Sequence, residues 1–89
     1  MEQIVAAKLV VLINNTVLIS QIEEVQSELG EPDCKLTKPY VVDTSDLNLV
    51  PWLSSVSVSN IFMISSDKIL TISEPKPTLL EKYLDLTLK

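Results

Sequence analysis

The apolar positions fall into short runs with strand-like texture before they change period near the C-terminus. Lys8 to Ile13 reads Lys-Leu-Val-Val-Leu-Ile, rich in β-branched residues that suit a pleated surface. Asn14-Asn15 follows, and Asn tolerates the positive φ that a tight hairpin turn needs. Thr16 to Val25 returns as a second strand. Its apolar phase slips after Ile19, because Val17 and Ile19 share one parity and Ile22 takes the other, which predicts a bulge or sharp bend. Gln26 to Asp33 holds the single Gly and a Pro and reads as a loop. Cys34 to Val42 is a third strand, interrupted by Pro39, which points to an edge or a bulge. Asp43 to Asn48 is turn-like, and Leu49 to Leu53 is apolar and punctuated by Pro51. From Val56 to Ile64 a clear alternation predicts a long, bent fourth strand, with Val56, Val58, Phe62 and Ile64 on one face. Ile69 to Ser73 is a short fifth strand.

The tail changes period. Leu79, Leu80, Tyr83 and Leu84 recur at helical spacing, behind Pro75 and Pro77. Thr78 with Glu81 fits a capping box, so Thr78 is the expected N-cap. The pattern gives one mostly β domain over residues 1–89, with strands at about 5–73 and a C-terminal helix at about 78–87.

Composition adds a partner to this picture. A chain of 89 residues buries a limited fraction of its surface, yet 46% of the residues are apolar. Apolar surface left over after folding marks an interface, so self-association is expected. The net charge is −5 and all seven basic residues are Lys. Arg is the preferred fork for phosphates and guanine edges, so its absence counts against tight or sequence-specific nucleic-acid binding. No segment is long and apolar enough to suggest a membrane helix, and the acidic Glu2 is unlike a secretory leader; the expected location is the cytoplasm.

Catalytic chemistry finds little support. There is no His, and the lone Cys34 lacks the usual activating partner; it reads as a small half-buried strand residue. No Ser has a visible base beside it. The acidic stretch Glu23, Glu24, Glu28, Glu31 and Asp33 lacks a calcium-loop spacing and reads as a solvated strand end and loop. No enzyme activity, cofactor or metal is expected.

The segment Ile64-Ser65-Ser66-Asp67-Lys68-Ile69 resembles the second Sm motif. Leu9 to Glu24, Lys35 to Val42, Val50-Pro51-Trp52 and Glu74-Pro75 ahead of a Leu-rich helix resemble the short Sm-like proteins of tailed phages, cyanophages among them. The resemblance implies a strongly bent five-stranded antiparallel Sm-like barrel, assembled into a homo-oligomeric ring by the fourth strand of one subunit and the fifth of the next. A phage origin would place it in the host cytoplasm. In Sm-like rings the loops between strands two and three and between strands four and five hold RNA. Here Ser65-Ser66 stands in place of the family's Arg-Gly, and the usual N-terminal helix has no counterpart. The expected nucleic-acid contacts are Lys35, Lys38, Tyr40, Ser65, Ser66 and Lys68, with Tyr40 stacking a base; the blander reading makes these lysines solubilising residues on a β-surface. Trp52, between Val50 and Leu53, reads as core or interface. Two functions follow as expectations: weak binding of single-stranded RNA or DNA by a ring, or a structural or adaptor homo-oligomer that binds a protein.

Overall fold

A computed structural model describes residues 7–88, so the expected beginning of the strands at residue 5 lies outside the described residues. The elements are β1 (Ala7–Leu12), β2 (Val17–Glu24), β3 (Cys34–Val42), β4 (Leu49–Pro51), β5 (Ile61–Ile64), a 3₁₀ turn (Ser66–Lys68), β6 (Ile69–Ser73) and α1 (Pro77–Thr87). The chain is therefore mostly β with one short C-terminal helix. The strands form a single antiparallel sheet in the order β4-β3-β2-β1-β6, and β5 pairs with β3 beside β4.

The expected fourth strand is divided. A pleated run from Val56 is not seen; residues 52–56 form a turn, and the ladder resumes only at Ile61. The reason lies in β3. Its C-terminal half pairs with β4 (Tyr40 with Pro51) and its N-terminal half with β5 (Thr37 with Ile61). At the handover Lys38 has a left-handed φ of +54° and Pro39 has no N–H to offer a ladder. The sheet thus has six strands, and it is open: among the described residues the path ends at β4 and β5 on one side and at β6 on the other.

The slip in β2 coincides with a real irregularity. Ile19 pairs with Tyr40 and Gln21 with Thr37, so Lys38 and Pro39 together face Ser20. The extra residue of this bulge sits on β3, not on β2. Ser20 is buried there, and its hydroxyl donates to the carbonyls of Thr37 (3.1 Å) and Gln21 (2.8 Å). A second bulge lies between β1 and β6. Val11 pairs with Thr71 and Leu12 with Ile69, which leaves Leu70 unpaired.

Two apolar clusters hold the sheet. Val10, Leu12, Leu18 and Leu36 pack with Trp52, Phe62, Ile64 and Ile69 on one face of the sheet. Ala7, Ile19 and Val42 pack on the other face against Leu79 and Tyr83 of α1. The helix begins earlier than its capping pattern predicts. Lys76 is the N-cap and makes no side-chain cap bond, since its ammonium has no acceptor to offer an N–H; Pro77 takes the first helical position, where a missing N–H costs nothing. α1 then crosses the sheet from the β6 side, where Glu74 bridges Lys8, to the β3–β4 side, where the Lys82 ammonium donates to the Leu47 carbonyl at 3.2 Å.

Candidate functional site

The open sheet leaves three features with functional potential: its free edges, the loop end beside β5 and β6, and a groove beside α1. At the edges, strand alternation turns Phe62 and Ile64 inward and leaves Ile61 and Met63 exposed along β5. On β6, Ile72 pairs with Val10 and so faces the core, yet it is 49% exposed, whereas Val10 is completely buried. Among the described residues no strand beyond β6 covers it. Leu70, freed by the bulge, is 63% exposed. Ile22, Cys34, Ile69, Leu70 and Ile72 line an open cavity of about 600 Å³ along this seam. Cys34 is buried in β3, and that burial pushes its thiol pKa up, against a reactive thiolate.

At the loop end, the β2–β3 and β5–β6 loops are pinned together by one carboxylate. The Ser66 backbone N–H donates to Asp33 Oδ1 at 2.7 Å and its hydroxyl donates to Oδ2 at 2.8 Å. These two bonds, the backbone one first, hold the Asp33 carboxyl below the usual Asp range. Gly30, Glu31, Asp33, Ser65, Ser66 and Asp67 surround a shallow pocket here, so its charged residues are all acidic. The left-handed turn at Gly30 (φ +89°) lets the β2–β3 loop fold back, and the Val25 N–H closes it on the Asp33 carbonyl.

The six expected contact residues do not form one surface. Ser65 and Ser66 sit at this loop end, with Ser66 engaged by Asp33. Lys68 is exposed on the 3₁₀ turn, and its carbonyl accepts the Ile13 N–H. Lys35 lies on β3 opposite Glu23, with which it forms an ion pair at 3.4 Å. Lys38 and Tyr40 belong to the other end of β3. The Lys38 ammonium donates to the Thr87 carbonyl at the end of α1 (3.2 Å), and Tyr40 packs edge-on against Tyr83 at a ring separation of 5.8 Å. Tyr40 is thereby a half-buried core neighbour, where a free stacking platform was expected.

The groove beside α1 was not anticipated as a site. Tyr40, Pro51, Trp52, Val58, Phe62 and Leu86 are among the residues lining a cavity of about 290 Å³ between β4, β5 and the C-terminal end of α1. Trp52 leans on Phe62 with ring centroids 5.2 Å apart. The sequence clue was the uncharged run Trp52 to Phe62, whose Val56 and Val58 are exposed rather than on a strand face.

Among the described residues no group of three metal-binding side chains comes together, and no helix is long and apolar enough to cross a membrane. No curated protein matches the chain. A family model, by contrast, matches nearly its whole length, from residue 5 to residue 88, which takes in every strand, both bulges and α1. The chain belongs to that family, a family of unknown function (DUF6561).

Proposed function

We propose that this chain is a non-catalytic structural subunit that assembles with itself through the free edges of its sheet, in a ring of the Sm-like kind. One observation carries the reading: both edges of an open sheet display large apolar side chains, Ile61 and Met63 on β5 and Leu70 and Ile72 on β6. An uncapped edge presents unpaired backbone N–H and C=O groups that template another strand. Among the described residues nothing covers the core-facing Ile72, and a second copy supplies a cover. Burying the exposed parts of these side chains contributes on the order of 1 kcal/mol each. The two bulges and the β5 and β6 edges support the Sm-like comparison, with the fourth strand of that fold represented here by β4 and β5. A cytoplasmic location belongs to the same proposal.

The test is light scattering coupled to size exclusion from 1 to 100 µM, on the wild type and on Met63→Lys and Ile72→Lys. The expected result is an oligomer that either lysine reduces to a monomer. A wild type that stays monomeric at 100 µM overturns the reading.

A second reading is weak binding of single-stranded RNA or DNA. What favours it is that Asp33 and Ser66 bring together the two loops that hold RNA in Sm-like rings. The first reading is preferred because that loop end is acidic, Lys35 is paired with Glu23 and Lys38 is directed to α1. Fluorescence anisotropy with labelled oligo-U and oligo-A at low salt separates the two readings. Saturable binding at tens of micromolar that Lys68→Glu abolishes would establish the nucleic-acid reading.

A further inference from the structure

The two ends of α1 carry charges opposed to its own dipole. Its first turn holds no acidic residue and its N-cap is Lys76; its last turn holds no basic residue and contains Asp85. A cation at the positive end of a helix and an anion at the negative end are both unfavourable. Among the described residues this is offset in part, by the Lys38 ammonium that reaches the Thr87 carbonyl from β3 and by Lys82, which lines one cavity with Asp85. The ends also differ in shape. The N-terminal end presents Pro75, half-buried, and the exposed Lys76 and Pro77. The C-terminal end opens on the aromatic groove of Trp52 and Phe62, which Leu86 of α1 helps to line. Among the described residues Lys38 is the only charged one lining that groove, and its ammonium is held by the Thr87 carbonyl, while the exposed Asp85 lies on the adjoining turn.

These features are complementary, and they sit at opposite ends of one helix. We propose that the N-terminal end of α1 in one copy docks at the C-terminal end of α1 in the next: Pro75 and Pro77 seat against Trp52 and Phe62, and Lys76 approaches Asp85. Proline rings pack well on aromatic faces, and a segment already extended by two prolines has little freedom to lose on binding. Lys76 then lies near a helix C-terminus and a carboxylate, and Asp85 near a helix N-terminus, so both unfavourable end charges become favourable. The contact is heterologous, since one patch meets a different patch. Because α1 runs from the β6 side to the β3–β4–β5 side, it has the same sense as edge-to-edge assembly. The proposal rests on the reading that copies of this chain self-associate.

The experiment uses the full chain and reads association by sedimentation velocity, with far-UV circular dichroism to verify the fold. Lys76→Glu and Asp85→Lys each place like charges across the proposed contact while removing an unfavourable charge from the variant's own helix. Each is expected to keep the circular dichroism spectrum and weaken association about fivefold, in line with an exposed charge pair. The double variant Lys76→Glu/Asp85→Lys restores the pair and is expected within about twofold of wild type on the same grounds. Trp52, the single tryptophan, is expected to shift its emission to shorter wavelength on assembly. If the wild type assembles and Met63→Lys abolishes assembly, but the single charge variants associate like wild type, the α1 contact is overturned and the edge reading stands. If the wild type is monomeric at 100 µM, both are overturned.

Discussion

At the residue scale, Asp33 joins two loops with one carboxylate. It accepts both the N–H and the hydroxyl of Ser66, and those bonds favour its ionised form. A carboxyl whose pKa is depressed by folding adds stability above its unfolded value, about 3.9 for Asp, and loses it as pH falls through the folded value. Asp33→Ala is therefore expected to lower Tm at pH 7, with the difference from wild type shrinking below about pH 4; a series of thermal melts from pH 7 to pH 2.5 measures it. A gap that does not narrow in acid would separate the loop's stability from this carboxylate. Leu53 shows the opposite case, a residue working against its backbone. Its φ is +61°, in the left-handed region where a non-Gly side chain is strained, and it is exposed. Leu53→Asn is expected to raise stability by about 1 kcal/mol in urea unfolding, since Asn tolerates this conformation. An Asn variant less stable than wild type would show that the Leu53 side chain contributes more packing than its exposure implies.

At the element scale, α1 is fastened to the sheet where β3 is most irregular. Tyr83 is completely buried, and its hydroxyl donates to the Lys38 carbonyl at 2.9 Å, the residue at the left-handed φ. Tyr83→Phe removes that donor and is expected to cost about 1–2 kcal/mol. Burial also raises the Tyr83 phenol above the usual Tyr range. A raised pKa gives stability that is complete below the unfolded value, about 10, and is lost as pH rises toward the folded value. Absorbance titration is expected to show a late-ionising tyrosine that is absent from Tyr83→Phe. The runs between loop-like segments located β3 and β6 to the residue, and the helical spacing located α1 within two residues of its start. The fourth strand was misjudged because alternation reports only which faces side chains would take. Whether a partner strand exists to pair with residues 56–60 depends on Lys38 and Pro39 across the sheet.

At the scale of the whole molecule, the open edges make one further prediction. Edge-to-edge assembly is heterologous, so each copy has one β5 edge and one β6 edge. Ile61→Lys/Met63→Lys disables the first edge, and Leu70→Lys/Ile72→Lys disables the second. Each variant alone is expected to be monomeric, and an equimolar mixture is expected to stop at a dimer. Native mass spectrometry reads the outcome directly. Rings from the mixture, or homodimers of either variant, would point to a different interface. The candidate site was legible in part. The apolar surplus anticipated exposed Ile61, Met63, Leu70 and Ile72 without naming them. The six nucleic-acid candidates rest mostly on the Sm-like resemblance, and their neighbours Glu23, Asp33, Thr87 and Tyr83 are not legible from it.

What the sequence determined by itself was the local part: β-branched runs make strands, Pro75 and Pro77 end them, and a helical spacing of leucines with Tyr83 makes α1. These follow from side-chain sterics and periodicity, which act over a few residues. Only the tertiary structure decided that the sheet stays open, that β3 passes from one partner to another at Lys38–Pro39, that Asp33 meets Ser66, and that Trp52 and Phe62 form a groove at the end of α1. Each joins residues distant in the chain, and the curvature and register of the whole sheet decide which of them meet.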